Sequence, residues 1–148
     1  MYLIDTNIHA AFLLQKHETD VESKKYVEFF KQIPLSQRLI PDFVLNEFEI
    51  LMVQVVPSRY RLNTRDKNAV RNLTFEYIKE VVNQCKVVTP TVASVQAAAK
   101  IYLKNTNKHY ISFTDSLIIS TAKQLGASVF TKDERLKGRA HEEKVSTA

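Results

Sequence analysis

Glycine is almost missing from this chain, with two in 148 residues. A glycine-rich loop that cradles phosphate on backbone amides is therefore excluded, which weighs against a phosphatase or small-molecule hydrolase built on one. Cysteine is rarer still. Cys85 stands alone, so an internal disulfide and a cysteine zinc cluster are both excluded, and a reducing cytoplasm is the expected location. No apolar run reaches the roughly 20 residues that span a bilayer, so no membrane partner is expected. Met1-Tyr-Leu-Ile-Asp5 has neither a basic leader nor a cleavage pattern, and no signal peptide is expected. No internal repeat or linker divides the chain, so one domain over residues 1–148 is expected.

What is present is a basic chain of ordinary hydrophobicity. The net charge is +5, with 45% hydrophobic and 25% charged residues. That balance favours a polyanionic partner. Short apolar runs and amphipathic stretches alternate from end to end. Tyr2-Leu-Ile-Asp5 reads as a strand, with Thr6 and Asn7 offering caps to a helix from Ile8 to Gln15. Val21 to Ile33 reads as a helix with Val21, Val27, Phe30 and Ile33 inward. Arg38 to Pro41 reads as a strand, and Asp42 to Val55 as a helix that Pro57 ends. A further helix is expected to reach about Gln84, burying Val70, Leu73, Tyr77, Ile78 and Val81. Lys86 to Pro90 follows as a strand, and Thr91 caps a helix in which Val92, Val95, Ala99 and Tyr102 recur at helical spacing. Asn105 to His109 reads as a polar connector, with His109 a surface residue rather than a ligand.

The stretch from Ile111 to Gly126 carries the clearest local signals. Ser112 and Asp115 have capping-box spacing. Phe113, Leu117, Ile118, Ala122 and Leu125 form an apolar stripe, and Gly126 falls where a left-handed cap is usual. Ala127 to Thr131 then reads as a buried strand leading into Asp133. The polar segment after Asp133, above all residues 139–148, reads as an extension that frays. Alternating strands and helices predict an α/β fold, a parallel sheet covered by helices on both faces.

Such sheets bind ligands beyond the carboxyl ends of their strands. Asp5 and Asp133 lie at or past strand ends, and Asp115 lies at a helix start. Asp115 has a purely structural reading too, as a cap. On the helix after Asp42, Glu47 has apolar neighbours at every helical contact position, whereas Glu49 has Asn46 among its own. Both could supply a fourth acid, and spacing does not choose between them. Converging carboxylates raise one another's pKa unless a hard cation joins them. Mg²⁺ or Mn²⁺, one ion or two, suits an all-oxygen donor set and activates water against a phosphodiester. Pro57 to Arg71 is the most basic stretch. Arg59, Arg61, Arg65, Lys67 and Arg71 could contact phosphates there, with Tyr60 as a stacking platform, or the stretch is a solvated face.

The segments Leu3-Ile-Asp5-Thr-Asn7, Val44-Leu-Asn-Glu47-Phe, Ile111-Ser-Phe-Thr-Asp115-Ser-Leu-Ile and Val129-Phe-Thr-Lys-Asp133 resemble, in that order, the motifs of the PIN-domain family. Single-domain VapC-like toxins of toxin–antitoxin modules match best. The resemblance implies a PIN fold and a Mg²⁺- or Mn²⁺-dependent endoribonuclease. It puts Asp5, Glu47, Asp115 and Asp133 on the family's four acidic positions, choosing Glu47 over Glu49. Asp5, Asp115 and Asp133 would bind metal, and Glu47 would bind a second ion or orient the water. Thr6, Asn7 and Thr131 fall on polar positions that orient the acids. An RNA substrate, a cognate antitoxin and a homodimer are implied with them. A housekeeping PIN nuclease of RNA maturation and a catalytically silent module that binds RNA or protein are the alternatives.

Overall fold

The computed structural model describes residues 1–15, 20–105 and 110–148. The expected connector ending in His109 lies largely outside them. Four short parallel strands form the sheet: β1 (Tyr2–Ile4), β2 (Arg38–Pro41), β3 (Lys86–Val88) and β4 (Ser128–Phe130), in the order β3-β2-β1-β4. The helices are α1 (Thr6–Leu13), α2 (Val21–Gln32), α3 (Asp42–Ile50), α4 (Val56–Arg59), α5 (Thr64–Gln84), α6 (Val92–Leu103), α7 (Phe113–Leu125) and α8 (Glu134–Glu142).

Strand side chains alternate between faces, and that alternation divides the core. Leu3, Leu39, Val88 and Val129 point to one side, where they meet Ile101 of α6, Ile118, Ile119 and Ala122 of α7, and Leu136 and Ala140 of α8. Their neighbours Ile4, Ile40 and Phe130 point to the other. There they pack with Ile8 of α1, Phe30 of α2, Phe48 of α3 and Tyr77 and Val81 of α5. Helices thus cover both faces, as the alternation of elements predicts.

Several local expectations hold. Ser112 and Asp115 form a reciprocal capping box, and Gly126 closes α7 in the left-handed region at φ 61°. Thr91 caps α6 through the Ser94 N–H.

Others are corrected. The cap of α1 is Asp5 itself, which accepts from the Thr6 N–H, so the helix starts at Thr6 and ends at Leu13 rather than Gln15. Pro57 does not end the helical run after Asp42. Residues Leu51–Val55 widen into a π-helical turn whose last bond runs from the Val56 N–H to the Leu51 carbonyl. Pro57 then sits in the first turn of α4, where a missing N–H costs nothing. Val21 and Leu73 are exposed. Ser23 and Thr74 are buried on their helices instead, each with its hydroxyl hydrogen-bonded, Thr74 to the Val70 carbonyl. Val92 and Val95 also face outward, because α6 turns Ser94, Ala98 and Ile101 to the core, and Phe113 at the start of α7 is exposed as well. The segment after Asp133 packs rather than frays. Leu136, Arg139, Ala140 and Val145 are buried, and Val129 bonds through both backbone groups to Ser146 and Ala148.

One buried residue was not anticipated. His9 is fully enclosed among Phe30, Phe48 and Tyr77, with Nδ1 2.8 Å from the Tyr77 hydroxyl. Burial holds its pKa down at about 3, assisted by the Arg38 charge. The native state therefore refuses a proton that the unfolded chain accepts below about 6.5. The stability this neutral histidine contributes is complete above pH 6.5 and is lost as pH falls toward 3. Urea unfolding of wild type and His9→Phe at pH 6.5 and pH 5 tests this. Acidification should cost the wild type about 1.5 kcal/mol more than the variant. Equal losses would mean that His9 titrates normally inside the fold.

Candidate active site

The site is assembled by the pairing of β1 with β4. Ile4 lies opposite Phe130, and the next bond along runs from the Asp5 N–H to the Phe130 carbonyl at 3.0 Å. This register sets Thr131 beside Asp5 although 126 positions separate them. Asp5 is 6% exposed and its two oxygens are fully engaged. Oδ1 accepts from the Thr6 N–H at 2.7 Å. Oδ2 accepts from Asn7 Nδ2 and from the Thr131 hydroxyl, both at 2.6 Å.

Thr131 is the hub of this network. Its hydroxyl oxygen also accepts from Asn7 Nδ2 at 2.9 Å and from the Asp133 N–H at 3.0 Å. Asn7 closes the circuit by accepting the Lys132 N–H at 3.0 Å. Lys132 itself escaped the sequence reading. Its ammonium donates to Ser23 of α2, tying the turn after β4 to that helix. No local pattern signals a contact that spans 109 positions.

Two of the remaining acids arrive on helix starts and the third, Glu47, from the second turn of α3. Asp133 caps α8 through the Arg135 and Leu136 N–H groups at 2.8 and 3.2 Å. Asp115 lies in the first turn of α7, and its Oδ2 accepts the Ser112 N–H at 2.9 Å. Glu47 lies exposed on α3 and accepts the Thr6 hydroxyl. That bond, unavailable to spacing arguments, distinguishes it from half-buried Glu49.

The carboxylates act on one another electrostatically. Burial raises the Asp5 pKa to about 7, helped by the charges of Asp115 and Glu47 and opposed by the Thr131 and Thr6 hydrogen bonds. Burial also raises Asp115, with Asp133 adding to it, while its Ser112 bonds pull the other way. Asp5 is thus coupled to Glu47 and Asp115, and Asp115 to Asp133. Among the described residues no three acidic, histidine or cysteine side chains stand close enough to form a ready metal cage. The donor set nevertheless fits a hard cation in kind. It is all carboxylate oxygen, and its innermost member, Asp5, is destabilised as an anion by burial first and by its acidic neighbours second.

The basic residues are not part of this cluster. Arg59 ends α4, Arg61 follows in the left-handed region at φ 50°, and Arg65, Lys67 and Arg71 lie along α5. Their side chains and Tyr60 are exposed.

Comparison with known proteins decides the family. The family model described as PIN domain matches residues 2–142. The chain belongs to the PIN-domain family. Solved PIN-fold structures resemble it over nearly its whole length. FitAcB from Neisseria gonorrhoeae is 19% identical with a TM-score of 0.71, covering 99% of this chain and 96% of that one. VapC20 of Mycobacterium tuberculosis, a sarcin–ricin loop cleaving toxin, is 15% identical with a TM-score of 0.66, covering 93% and 94%. VapBC2 from Rickettsia felis, bound to a DNA fragment from its promoter, is 15% identical with a TM-score of 0.63, covering 99% and 96%. At such identities the likeness is one of fold. No curated protein sequence matches the chain.

Within this PIN domain the Thr131 hydroxyl is the strongest single influence keeping Asp5 ionisable. In Thr131→Val the Asp5 pKa should rise clearly above about 7, read by carbon-13 NMR titration of its carboxyl. Stability should fall by about 1–3 kcal/mol, because Asp5, Asn7 and the Asp133 N–H each lose a partner. An unmoved Asp5 titration would remove Thr131 from the site's electrostatics.

Proposed function

We propose that this PIN domain is a metal-dependent endoribonuclease and the toxin of a toxin–antitoxin pair, acting in the cytoplasm. The observation that carries the reading is the hydrogen-bond network in which Thr6 joins Asp5 to Glu47 and Thr131 joins Asp5 to the Asp133 backbone, with Asp115 acting on Asp5 by charge. These acids come from four separate parts of the chain and have no cation of the protein hydrogen-bonded to them among the described residues. Unbalanced negative charge of this kind is poorly suited to stability and well suited to a divalent ion. The toxin assignment is supported by the fold shared with VapC20, FitAcB and VapBC2. By the same likeness, a cognate antitoxin is the expected protein partner.

Asp5, Asp115 and Asp133 would hold Mg²⁺ or Mn²⁺, with Glu47 holding a second ion or orienting the attacking water. Such ions, when bound, lower the pKa of water and stabilise the departing oxygen of a phosphodiester. The chain's own residues do the positioning. Thr131 and Asn7 fix the Asp5 carboxylate by two bonds to one oxygen, which leaves it little rotational freedom. Thr6 steers Glu47 by its hydroxyl while its N–H holds Asp5, so one residue sets the relation of two acids. The expected products carry a 5′-phosphate and a 3′-hydroxyl. Arg59, Tyr60, Arg61, Arg65 and Lys67 offer an exposed basic surface for the RNA backbone that the acids repel.

Cleavage of a mixed cellular RNA pool by antitoxin-free protein tests the chemistry. Discrete products should require Mg²⁺ or Mn²⁺ and fall about a hundredfold or more in Asp5→Asn, some 2.7 kcal/mol of barrier. Products that persist without metal, or in the variant, would refute the assignment. The same ions should raise the melting temperature of the wild type by mass action and raise that of Asp115→Asn much less. On the basic surface, Arg59→Ala with Arg61→Ala should weaken RNA binding and flatten its salt dependence. An unaltered slope would make that surface a solvated face.

A further inference from the structure

Three aromatic rings gather where α6 ends and α7 begins. Tyr102, in the last turn of α6, meets Phe113, the first residue of α7, with centroids 6.1 Å apart and planes at 82°. It meets Tyr110 at 6.5 Å and 64°, and the two tyrosine hydroxyls lie 3.4 Å apart. Phe113 is 42% exposed and Tyr110 54%. Their backbone is nevertheless fixed. Asn105 clamps Ile111 from both directions, its amide donating to the Ile111 carbonyl at 2.9 Å and its oxygen accepting the Ile111 N–H at 3.2 Å. The Ile111 side chain is buried in the core and anchors the segment that carries both rings. The Ser112–Asp115 capping box then locks the turn that bears Phe113. Among the described residues, Tyr110 and Phe113 each touch one other ring, edge-on, so each keeps a face open.

We propose that Tyr110 and Phe113, braced by Tyr102, form a stacking platform for an unpaired base of the RNA beside the scissile phosphate; the platform rests on the nuclease assignment. Position argues for it. Phe113 precedes Asp115 by two residues on α7, so ring and carboxylate stand on different sides of one helix end, about 3 Å apart along its axis. A base on this platform therefore belongs to a nucleotide flanking the one under attack. Chemistry argues the same way. An aromatic face accepts any base but requires that it be unpaired, because a base inside a duplex is covered by its neighbours. Charge is in keeping. The only charged residues from Val92 to Asn105 are Lys100 and Lys104, both exposed, and Lys104 adjoins the Asn105 clamp. They suit the backbone of the strand whose base is stacked. Rings already held in place lose little freedom when the base arrives. The substrate class is RNA with free bases at the cleavage point, a loop or a linker rather than a stem.

Binding is measured in the Asp5→Asn chain, which should hold RNA without cutting it, on a mixed-sequence single strand carrying 2-aminopurine at one position after another. Stacking quenches the fluorescence of that base, so one position should darken on binding. Tyr110→Leu with Phe113→Leu keeps apolar bulk and removes both rings. It should abolish the quench and weaken binding about tenfold or more, with the circular dichroism kept because both sites face solvent. Tyr110→Phe should retain the quench. Phe75→Leu, at an exposed ring of α5, should alter neither quench nor affinity. The strand annealed to its complement should bind the leucine pair as well as it binds the parent. A leucine pair with the parent's quench and affinity, or with an equal loss on the duplex, would overturn the platform. The nuclease assignment would survive that result if the wild type still cleaves cellular RNA with metal. Absence of such cleavage would refute the assignment and the platform with it.

Discussion

A carboxylate can enter a protein interior only if donors or cations meet it. Asp5 is met by three donors, and the rest of the site hangs from that arrangement. Two of them come from its own helix start, the Thr6 N–H and the Asn7 amide. The third, the Thr131 hydroxyl, comes from the far end of the chain. Because the donors are neutral, they hold the carboxylate in place without neutralising it. The result is a fixed acid whose anion burial disfavours and these donors partly restore, with its pKa raised to about 7. Parallel pairing of β1 with β4 is what makes the third donor reachable. A slip of one residue would turn Val129 and Phe130 to the wrong faces and carry Thr131 away from Asp5.

The same donors link the acids to one another. Thr6 binds Asp5 through its backbone and Glu47 through its side chain, while Thr131 binds Asp5 and the Asp133 N–H through one oxygen. Two threonines therefore connect three of the four acidic residues, Asp5 and Glu47 through their carboxylates and Asp133 through its backbone. Asp115 stands apart, held by its own capping box and coupled to Asp5 by charge alone among the described contacts.

Much of this was legible in the sequence because its determinants are local. Strand positions, the Ser112–Asp115 capping box and the Gly126 stop follow from neighbours within four residues. The motif order that resembles the PIN family led to the fold, and the preference for Glu47 over Glu49 rests on that resemblance. What periodicity misjudged were helices with two apolar sides. On α6 the valines look like core and the serine and alanines look like surface, yet Ser94 and Ala98 are the ones buried. On α5, Thr74 is buried because its hydroxyl returns to the Val70 carbonyl, a satisfaction that hydrophobic patterning does not count. The packed terminus was concealed in the same way, since Leu136 and Ala140 are the few apolar residues of a highly charged helix. His9 and the Lys132–Ser23 contact depend on tertiary partners, and no reading of neighbours could reach them.

The bonds that Val129 makes to residues 146–148 bear on how this protein can associate. A strand at the margin of a sheet offers its free amides and carbonyls to any passing chain. Here β4, the strand that delivers Thr131 and Asp133, has β1 on one side and the Ser146–Ala148 segment on the other. The opposite margin is β3, three residues long and opening with Lys86. Growth of the sheet from copy to copy is thereby discouraged at both margins. Strand addition, which reads only backbone, is thus a poor route to this molecule, and contact through side chains, which shape and charge discriminate, is the better one.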